Sequence, residues 1–175
     1  MHYKLRNATL QDHAALEALI ARSARQLGAQ DYTAPQIEGA LRGAFGVDTQ
    51  LIQDETYFVV ESPADIVACG GWSRRRTLFG GDKHAARSAA ELDPGTEAGK
   101  IRAFFVAPEH ARQGIATIIL QRCEADARAF GFSRLELMAT LPGARFYSQH
   151  GYLPGASIQY ELAPGLKIEF VPMHK

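Results

Sequence analysis

The residues best placed to do chemistry are six consecutive ones, Arg112 to Thr117 (RQGIAT), where a predicted buried strand gives way to a predicted helix. The first amides of a helix have no acceptor within it, and the helix dipole adds partial positive charge at the same end. Together these features form an anion site that suits a pyrophosphate. Gly114 and Ala116 lack bulk, so a phosphate can approach the backbone closely, and Arg112 can add a charge-assisted contact.

This segment does not match two better-known phosphate-binding loops. A P-loop requires a Gly-Lys-Ser/Thr sequence, which this segment lacks. The third glycine of the dinucleotide-binding fingerprint is also missing. A strand, a turn and a helix with a glycine also occur in α/β proteins that bind no ligand. The pattern around Gly114 therefore indicates an anion site without identifying the anion.

Two predicted strands and one helix must hold this segment in place. The strand IRAFFV (101–106) is densely apolar, and Pro108 ends it. The helix from Gly114 to Phe130 has one apolar face, which is formed by Ile115, Ile118, Ile119, Cys123, Ala127 and Phe130. A further strand, RLELMA (134–139), follows. This run predicts a parallel pair of strands joined by a right-handed crossover.

The rest of the chain is predicted to form shorter elements. Before the central run, the patterns predict a strand (HYKLR), a helix capped by Thr9, a helix at 35–45, an antiparallel hairpin at 56–61 and 65–72, and a loop at 77–99 with a short helix at 84–92. After it, they predict a short helix at 142–150 and strands at 158–162 and 168–172.

Length and composition bound the class of protein. The 175 residues predict a single domain, 1–175, and the 19 basic and 19 acidic residues cancel, which argues against a general nucleic-acid binder. No apolar run is long enough to span a bilayer, and the start does not resemble a secretory signal. Cys69 and Cys123 lie in apolar stretches, so no disulfide framework is predicted and a cytoplasmic location is expected. The six histidines lack metal-ligand spacing, and no metal is expected.

Two stretches together resemble the GNAT N-acetyltransferases. VAPEHARQGIATIIL (106–120) is similar to the family's acyl-CoA-binding motif Q/R-x-x-G-x-G/A, although Ala111 stands at the Q/R position. PGARFYSQHGY (142–152) is similar to the motif of the family's fourth helix, with a Phe-Tyr pair followed by a Gly-aromatic exit. The remaining predicted elements also follow the family's order, so the resemblance covers nearly the whole chain.

The resemblance implies an α/β fold with a mixed, mostly antiparallel sheet of about seven strands flanked by about four helices. A splayed parallel pair, 101–106 and 134–139, would lie at its centre, and the cosubstrate would be acetyl-CoA. Its pantetheine arm would run in the gap along Phe104, Phe105 and Val106. Its pyrophosphate would bind the amides of Arg112, Gln113, Gly114, Ile115, Ala116 and Thr117. Thr140 stands where the family often has Asn and is a candidate polar contact to the cosubstrate.

By the same resemblance, Tyr147 would line the cosubstrate site and act as the general acid that protonates the departing thiolate. An alkyl amine with a pKa of about 10.4 is protonated at pH 7, so the reaction also needs a base or a water relay to one. No carboxylate lies on the strand 101–106. Glu97 and Glu136 are the candidate stand-ins, although each fits a surface carboxylate without a role better.

The sequence thus predicts an N-acetyltransferase that transfers an acetyl group to a primary amine of a small molecule or peptide by direct attack in a ternary complex. The amine pocket is expected from the first two helices, the 73–99 loop and the C-terminal strands. Two alternatives stay open: a non-catalytic acyl-CoA-binding or sensing module, and an α/β domain that binds other proteins. Neither nucleic acid nor membrane is an expected partner, and the strand 168–172 is a candidate edge for a homodimer.

Overall fold

The computed structural model describes residues 2–175, which form a sheet flanked by helices. The helices are α1 (His13–Leu27), α2 (Ala34–Ala40), α3 (Thr49–Gln53), α4 (Ile115–Phe130) and α5 (Leu141–Gln149). The strands are β1 (Lys4–Asn7), β2 (Tyr57–Glu61), β3 (Ile66–Ser73), β4 (Gly99–Val106), β5 (Leu135–Ala139), β6 (Leu153–Pro154), β7 (Ile158–Ala163) and β8 (Leu166–His174). None of the helices found between residues 2 and 175 has the length and apolar character needed to cross a bilayer.

The sheet is mixed, as the sequence predicts. Its strand order is β1-β2-β3-β4-β5-β8-β6, with β7 paired to β8, and the described pairs are antiparallel except for the parallel pair β4–β5. The prediction missed α3 and β6. The helix predicted at 84–92 is wrong, because that stretch is irregular backbone with bends at 85–86 and a single bridge between Arg75 and Glu91.

A bulge interrupts β4 at Ala103. Gly71 pairs with Arg102 and Cys69 with Phe105, so two residues of β4 lie opposite the single residue Gly70. Ala103 has a φ of 55°, a left-handed conformation that side chains other than glycine seldom adopt. The extra residue bends the strand and increases its local twist. A Cβ atom at Gly70 would lie 2.7 Å from the ring of Phe104, so the absence of a side chain there lets the Phe104 ring pack on β3.

Beyond Lys100, β4 separates from β5. The two strands pair only at Gly99 with Leu135 and at Lys100 with Glu136. On its other side β5 stays paired with β8 as far as Ala139. A gap therefore opens inside the sheet beside the second half of β4, and main-chain groups along it are free of the neighbouring strand. This arrangement confirms the predicted splayed pair.

The segment between β3 and β4 is fastened across the sheet by buried charges. Asp48 is 1% exposed, and its carboxylate accepts hydrogen bonds from Arg102 at 2.7 Å and Arg87 at 2.8 Å. Arg102 also donates to the carbonyl oxygens of Thr77 and Gly80, at 2.9 Å and 2.7 Å. We call Asp48, Arg87 and Arg102 the charge clamp. Through Arg102, the clamp joins β4 to Asp48, which lies just before α3, and to the 77–88 stretch.

Candidate active site

The first turn of α4 presents free main-chain donors. Gly114 precedes the helix with a φ of 79°, and the first bond of the helix runs from the Ile118 N–H to the Gly114 carbonyl. The N–H groups of Ile115, Ala116 and Thr117 therefore have no acceptor among the described residues. A Cβ atom at Gly114 would have no atom within 4 Å, so the space in front of the helix is open. The start of α4 is not plugged by the protein's own side chains.

Side-chain hydrogen bonds hold the loop before α4 in place. Tyr3 donates its hydroxyl proton to the Gln113 side chain at 2.7 Å, and its oxygen lies 2.9 Å from Nδ1 of His110. Gln113 in turn donates to the Glu109 carbonyl at 3.3 Å. The Gln113 side chain is thus occupied, which leaves its main chain for a ligand. Arg112 is exposed, and its side chain has no hydrogen-bonding partner among residues 2–175.

Tyr147 lies at the gap between β4 and β5. Its ring centroid is 6.0 Å from that of Phe104, and it also packs against Phe146 and Tyr152. The side chain is 7% exposed, and its hydroxyl forms no hydrogen bond within the described chain. Burial raises the pKa of Tyr147 well above its ordinary value, so the phenol keeps its proton throughout the neutral range. A protonated hydroxyl without a partner is what a proton donor requires.

The other residues predicted along the gap fall on its two edges. Phe104, Phe105 and Val106 form the end of β4 and are half-buried. Thr140 follows the last residue of β5, and its hydroxyl caps α5 by accepting the Gly143 N–H at 3.1 Å. The structure therefore brings Thr140 and the Phe104–Val106 stretch to opposite sides of one opening. Their contact with a cosubstrate stays a prediction.

The two carboxylates considered as bases lie at the closed end of the strand pair. Glu136 pairs in register with Lys100 and forms an ion pair with it. Glu97 accepts the Asp93 N–H at 2.8 Å and a hydrogen bond from Arg76 at 2.9 Å. The Asp93 N–H, with smaller help from Arg76, lowers the pKa of Glu97, which makes it a weaker base. This arrangement favours a structural role for both carboxylates.

An aromatic cluster covers the sheet on the side of the 77–88 stretch. The ring of Phe105 packs against Phe45, which contacts Phe170, and Phe170 contacts Phe79 and Tyr160. Beside this cluster lies a cleft of about 270 Å³ lined by Arg76, Thr77, Leu78, Phe79, His84, Ala86, Ser88 and Tyr160. Burial, with the charges of Arg102 and Arg87, lowers the pKa of His84, so its imidazole is neutral at pH 7. We call this opening the aromatic cleft.

Sequence reasoning missed His150 near the start of α4. Its Nε2 lies 3.1 Å from the Thr117 hydroxyl, and its Nδ1 lies 2.9 Å from the Phe146 carbonyl. The available signal was its place within the PGARFYSQHGY motif, three residues after Tyr147. Nothing in the local pattern connects it to Thr117, which lies 33 positions earlier.

Solved structures share this fold. A GCN5-related N-acetyltransferase from Rhodopseudomonas palustris superposes with a TM-score of 0.72 at 18% identity, covering 100% of this chain and 96% of that one. The PaiA N-acetyltransferase of Thermoplasma acidophilum, in complex with coenzyme A, gives 0.67 at 12% identity, with 100% and 99% covered. A GNAT family acetyltransferase of Brucella melitensis, in complex with acetyl-CoA, gives 0.56 at 15% identity, with 98% and 86% covered.

The sequence itself matches a family model. The model describes the acetyltransferase (GNAT) family and aligns with residues 14–152, which include β4, α4, β5 and α5. No curated protein matches the chain at a significant level. The match spans most of the chain, and the splayed strands and the open start of α4 lie within it. The chain therefore belongs to the acetyltransferase (GNAT) family and is an acyltransferase by class.

Proposed function

We propose that the protein transfers an acetyl group from acetyl-CoA to a primary amine while both are bound. The observation that carries the proposal is the gap between β4 and β5. Tyr147 lies at this gap, and the free amides at the start of α4 follow the end of β4. Two neighbours with the same fold were solved with coenzyme A or acetyl-CoA, which supports the same cosubstrate here. The cytoplasmic location and the homodimer expected from the sequence stay predictions. The strand 168–172 is not the edge expected for that homodimer, because it lies in β8 and pairs with β7 and β5.

The described residues fit this cosubstrate. The main chain of Phe104 to Val106 borders the gap and would pair with the pantetheine arm as an added strand does. The main-chain donors from Arg112 to Thr117 would bind the pyrophosphate, and the exposed Arg112 side chain adds positive charge nearby. When bound, acetyl-CoA supplies the thioester that the amine attacks.

The chain's own groups then perform two tasks. The bulge at Ala103 re-aims the main chain at the point where the gap opens, and an amide there would stabilise negative charge on a carbonyl oxygen. Tyr147 holds a proton at Oη beside Phe104 and would give it to the departing thiolate. No cysteine need take part, since Cys69 and Cys123 are buried and burial raises the pKa of both thiols.

The aromatic cleft is the proposed binding site for the amine. It connects through Phe170 and Phe45 to Phe105 at the edge of the gap. Its lining includes Arg76 and contains no carboxylate. Arg76 is already paired with Glu97 at 2.9 Å, so the lining offers a polyamine no free counter-charge, and the cleft favours an amine with an apolar or aromatic body.

An amine-panel assay tests both parts of this proposal. We expect thiol release from acetyl-CoA with arylalkyl monoamines at a higher kcat/KM than with spermidine or lysine-rich peptides. Thiol release that is fastest with polyamines would contradict the role of the aromatic cleft. Tight binding of acetyl-CoA without turnover across the panel would contradict the enzyme proposal and support a sensing module.

The open start of α4 predicts the outcome of a matched pair of glycine substitutions. Gly114 has a φ of 79° and Gly165, in the β7–β8 turn, a φ of 76°, and an added Cβ would have nothing within 4 Å at either position. Each change to Ala should therefore cost a similar backbone strain of about 1–2 kcal/mol. Only Gly114→Ala places a methyl group where the pyrophosphate would lie, so the Kd for coenzyme A should rise roughly tenfold or more.

Isothermal titration of coenzyme A and urea unfolding measure the two effects separately. Gly165→Ala should lose stability and keep the wild-type Kd. An equal Kd in the two variants would contradict the placement of the pyrophosphate at the start of α4.

A further inference from the structure

His150 joins the end of α5 to the start of α4 through two hydrogen bonds. Its Nδ1 lies 2.9 Å from the Phe146 carbonyl oxygen, and its Nε2 lies 3.1 Å from the Thr117 hydroxyl. A carbonyl oxygen can only accept, so Nδ1 must carry a hydrogen. The ring packs against Phe146 with centroids 4.5 Å apart, which holds both nitrogens in these directions.

These bonds determine what the Thr117 hydroxyl can offer a ligand. A neutral imidazole has a single N–H, and in His150 that group is used on the Phe146 carbonyl. Its Nε2 must then accept the one proton of the Thr117 hydroxyl. Thr117 lies in the first turn of α4, beside the free amides. With His150 neutral, this hydroxyl presents only lone pairs to an anion in front of the helix.

Protonation of His150 reverses the bond between the two side chains. An imidazolium donates from both nitrogens, so Nε2 would donate to Thr117 Oγ1, and the hydroxyl proton would become free for a phosphate oxygen. The positive charge of the ring would also lie one hydroxyl group away from that phosphate. A phosphate at the start of α4 and a proton on His150 therefore stabilise each other.

We propose that His150 is a positioning residue for the diphosphate of the cosubstrate, acting through Thr117 and taking up a proton when the diphosphate binds. This inference rests on the proposed function, since it assumes the diphosphate at α4. Because the bound diphosphate and the proton stabilise each other, affinity for the diphosphate should fall as pH rises, by at most about tenfold per pH unit for one linked proton.

Two charged side chains near His150 are paired with residues other than His150. On its own helix, Arg145 is paired with Asp31 at 2.9 Å. Behind the adjacent Gly151, Lys175 is paired with Glu124 at 2.9 Å. The loop before α4 contributes the exposed Arg112, and no carboxylate among residues 2–175 forms an ion pair with His150. None of these groups therefore supplies a counter-charge to His150, whereas a bound phosphate would.

Titration calorimetry with dephospho-CoA tests the proposal. This ligand keeps the diphosphate but lacks the terminal monophosphate, whose own second pKa of about 6 would take up protons. At pH 7.5, runs in two buffers with different ionisation enthalpies should reveal uptake of a fraction of one proton by the wild type. The uptake should vanish in His150→Asn, whose amide can still donate to Phe146, and shrink in Thr117→Val. S-Acetylpantetheine, which lacks phosphate, should bind without uptake.

The outcomes separate this inference from the proposed function. Binding of dephospho-CoA to the wild type without proton uptake, or with equal uptake in His150→Asn, would overturn the role of His150 and leave the proposed function intact. Failure of both coenzyme A and dephospho-CoA to bind at any pH between 6 and 8 would overturn both.

Discussion

Replacing Tyr147 with Phe is expected to lower kcat for acetyl transfer by about 10²- to 10⁴-fold, the usual contribution of a positioned proton donor. The KM for acetyl-CoA should change little, because the ring keeps its contacts with Phe104 and Phe146. Stability should also change little, because the hydroxyl has no hydrogen-bonding partner among the described residues. Steady-state thiol release, with a single-turnover experiment to isolate the chemical step, measures the effect.

Tyr152→Phe is the matched control. Tyr152 packs on Tyr147, but its hydroxyl donates to the buried Glu124 at 2.9 Å. Removing it should lower the free energy of unfolding by about 1–3 kcal/mol and leave kcat within a few-fold of wild type. A kcat for Tyr147→Phe as high as that for Tyr152→Phe would contradict the general-acid assignment.

The pH profile gives a second check on Tyr147. Burial raises its pKa above the ordinary value of about 10, and the phenol is the active form of an acid. The group is fully protonated below its ordinary pKa, so its ionisation should cause no loss of kcat up to about pH 10. A decline that sets in near pH 8 and disappears in Tyr147→Phe would contradict the raised pKa of Tyr147.

The local chemistry of the cosubstrate site could be predicted from the sequence because it depends on neighbours in the chain. The apolar face of α4 and Gly114 before it are local signals, and four of the six predicted apolar residues are buried in the structure. Ile118 and Phe130 are the exceptions, since both are exposed. The splayed strands were less accessible, because alternation of residues does not reveal where pairing stops. That expectation came from the resemblance, and the two matched pairs of β4 and β5 confirm it.

The parts that the sequence did not reveal depend on contacts between distant residues or on unusual backbone. Ala103 carries the bulge at a φ of 55°, although alanine is a poor indicator of a left-handed residue. The alanine-rich stretch at 84–92 favours a helix by propensity, but the Ser88 N–H bonds to the Thr77 hydroxyl at 2.8 Å instead. Glu136 resembled a free carboxylate until the parallel register placed Lys100 beside it. In each case tertiary contacts decided against local preference.

Asp48→Asn is expected to lower the free energy of unfolding by about 3–5 kcal/mol, because it leaves the guanidinium of Arg102 buried without its counter-charge. Asp48 and Arg102 are 1% and 3% exposed, so water cannot replace the lost carboxylate. Arg87 would lose its ion pair as well. Urea unfolding monitored through Trp72, which is buried in the core, measures the change.

The exposed pair of Arg25 and Glu38 provides the control for this prediction. Both side chains are about half exposed, at 54% and 48%, so Glu38→Gln should leave the unfolding midpoint almost unchanged. The charge clamp also holds Thr77 and Gly80, at the edge of the aromatic cleft, against β4. Folded Asp48→Asn should therefore show a raised KM for the amine with an unchanged Kd for coenzyme A. If Asp48→Asn were no more destabilising than Glu38→Gln, the clamp could not be what fastens this segment, and the amine site would need another support.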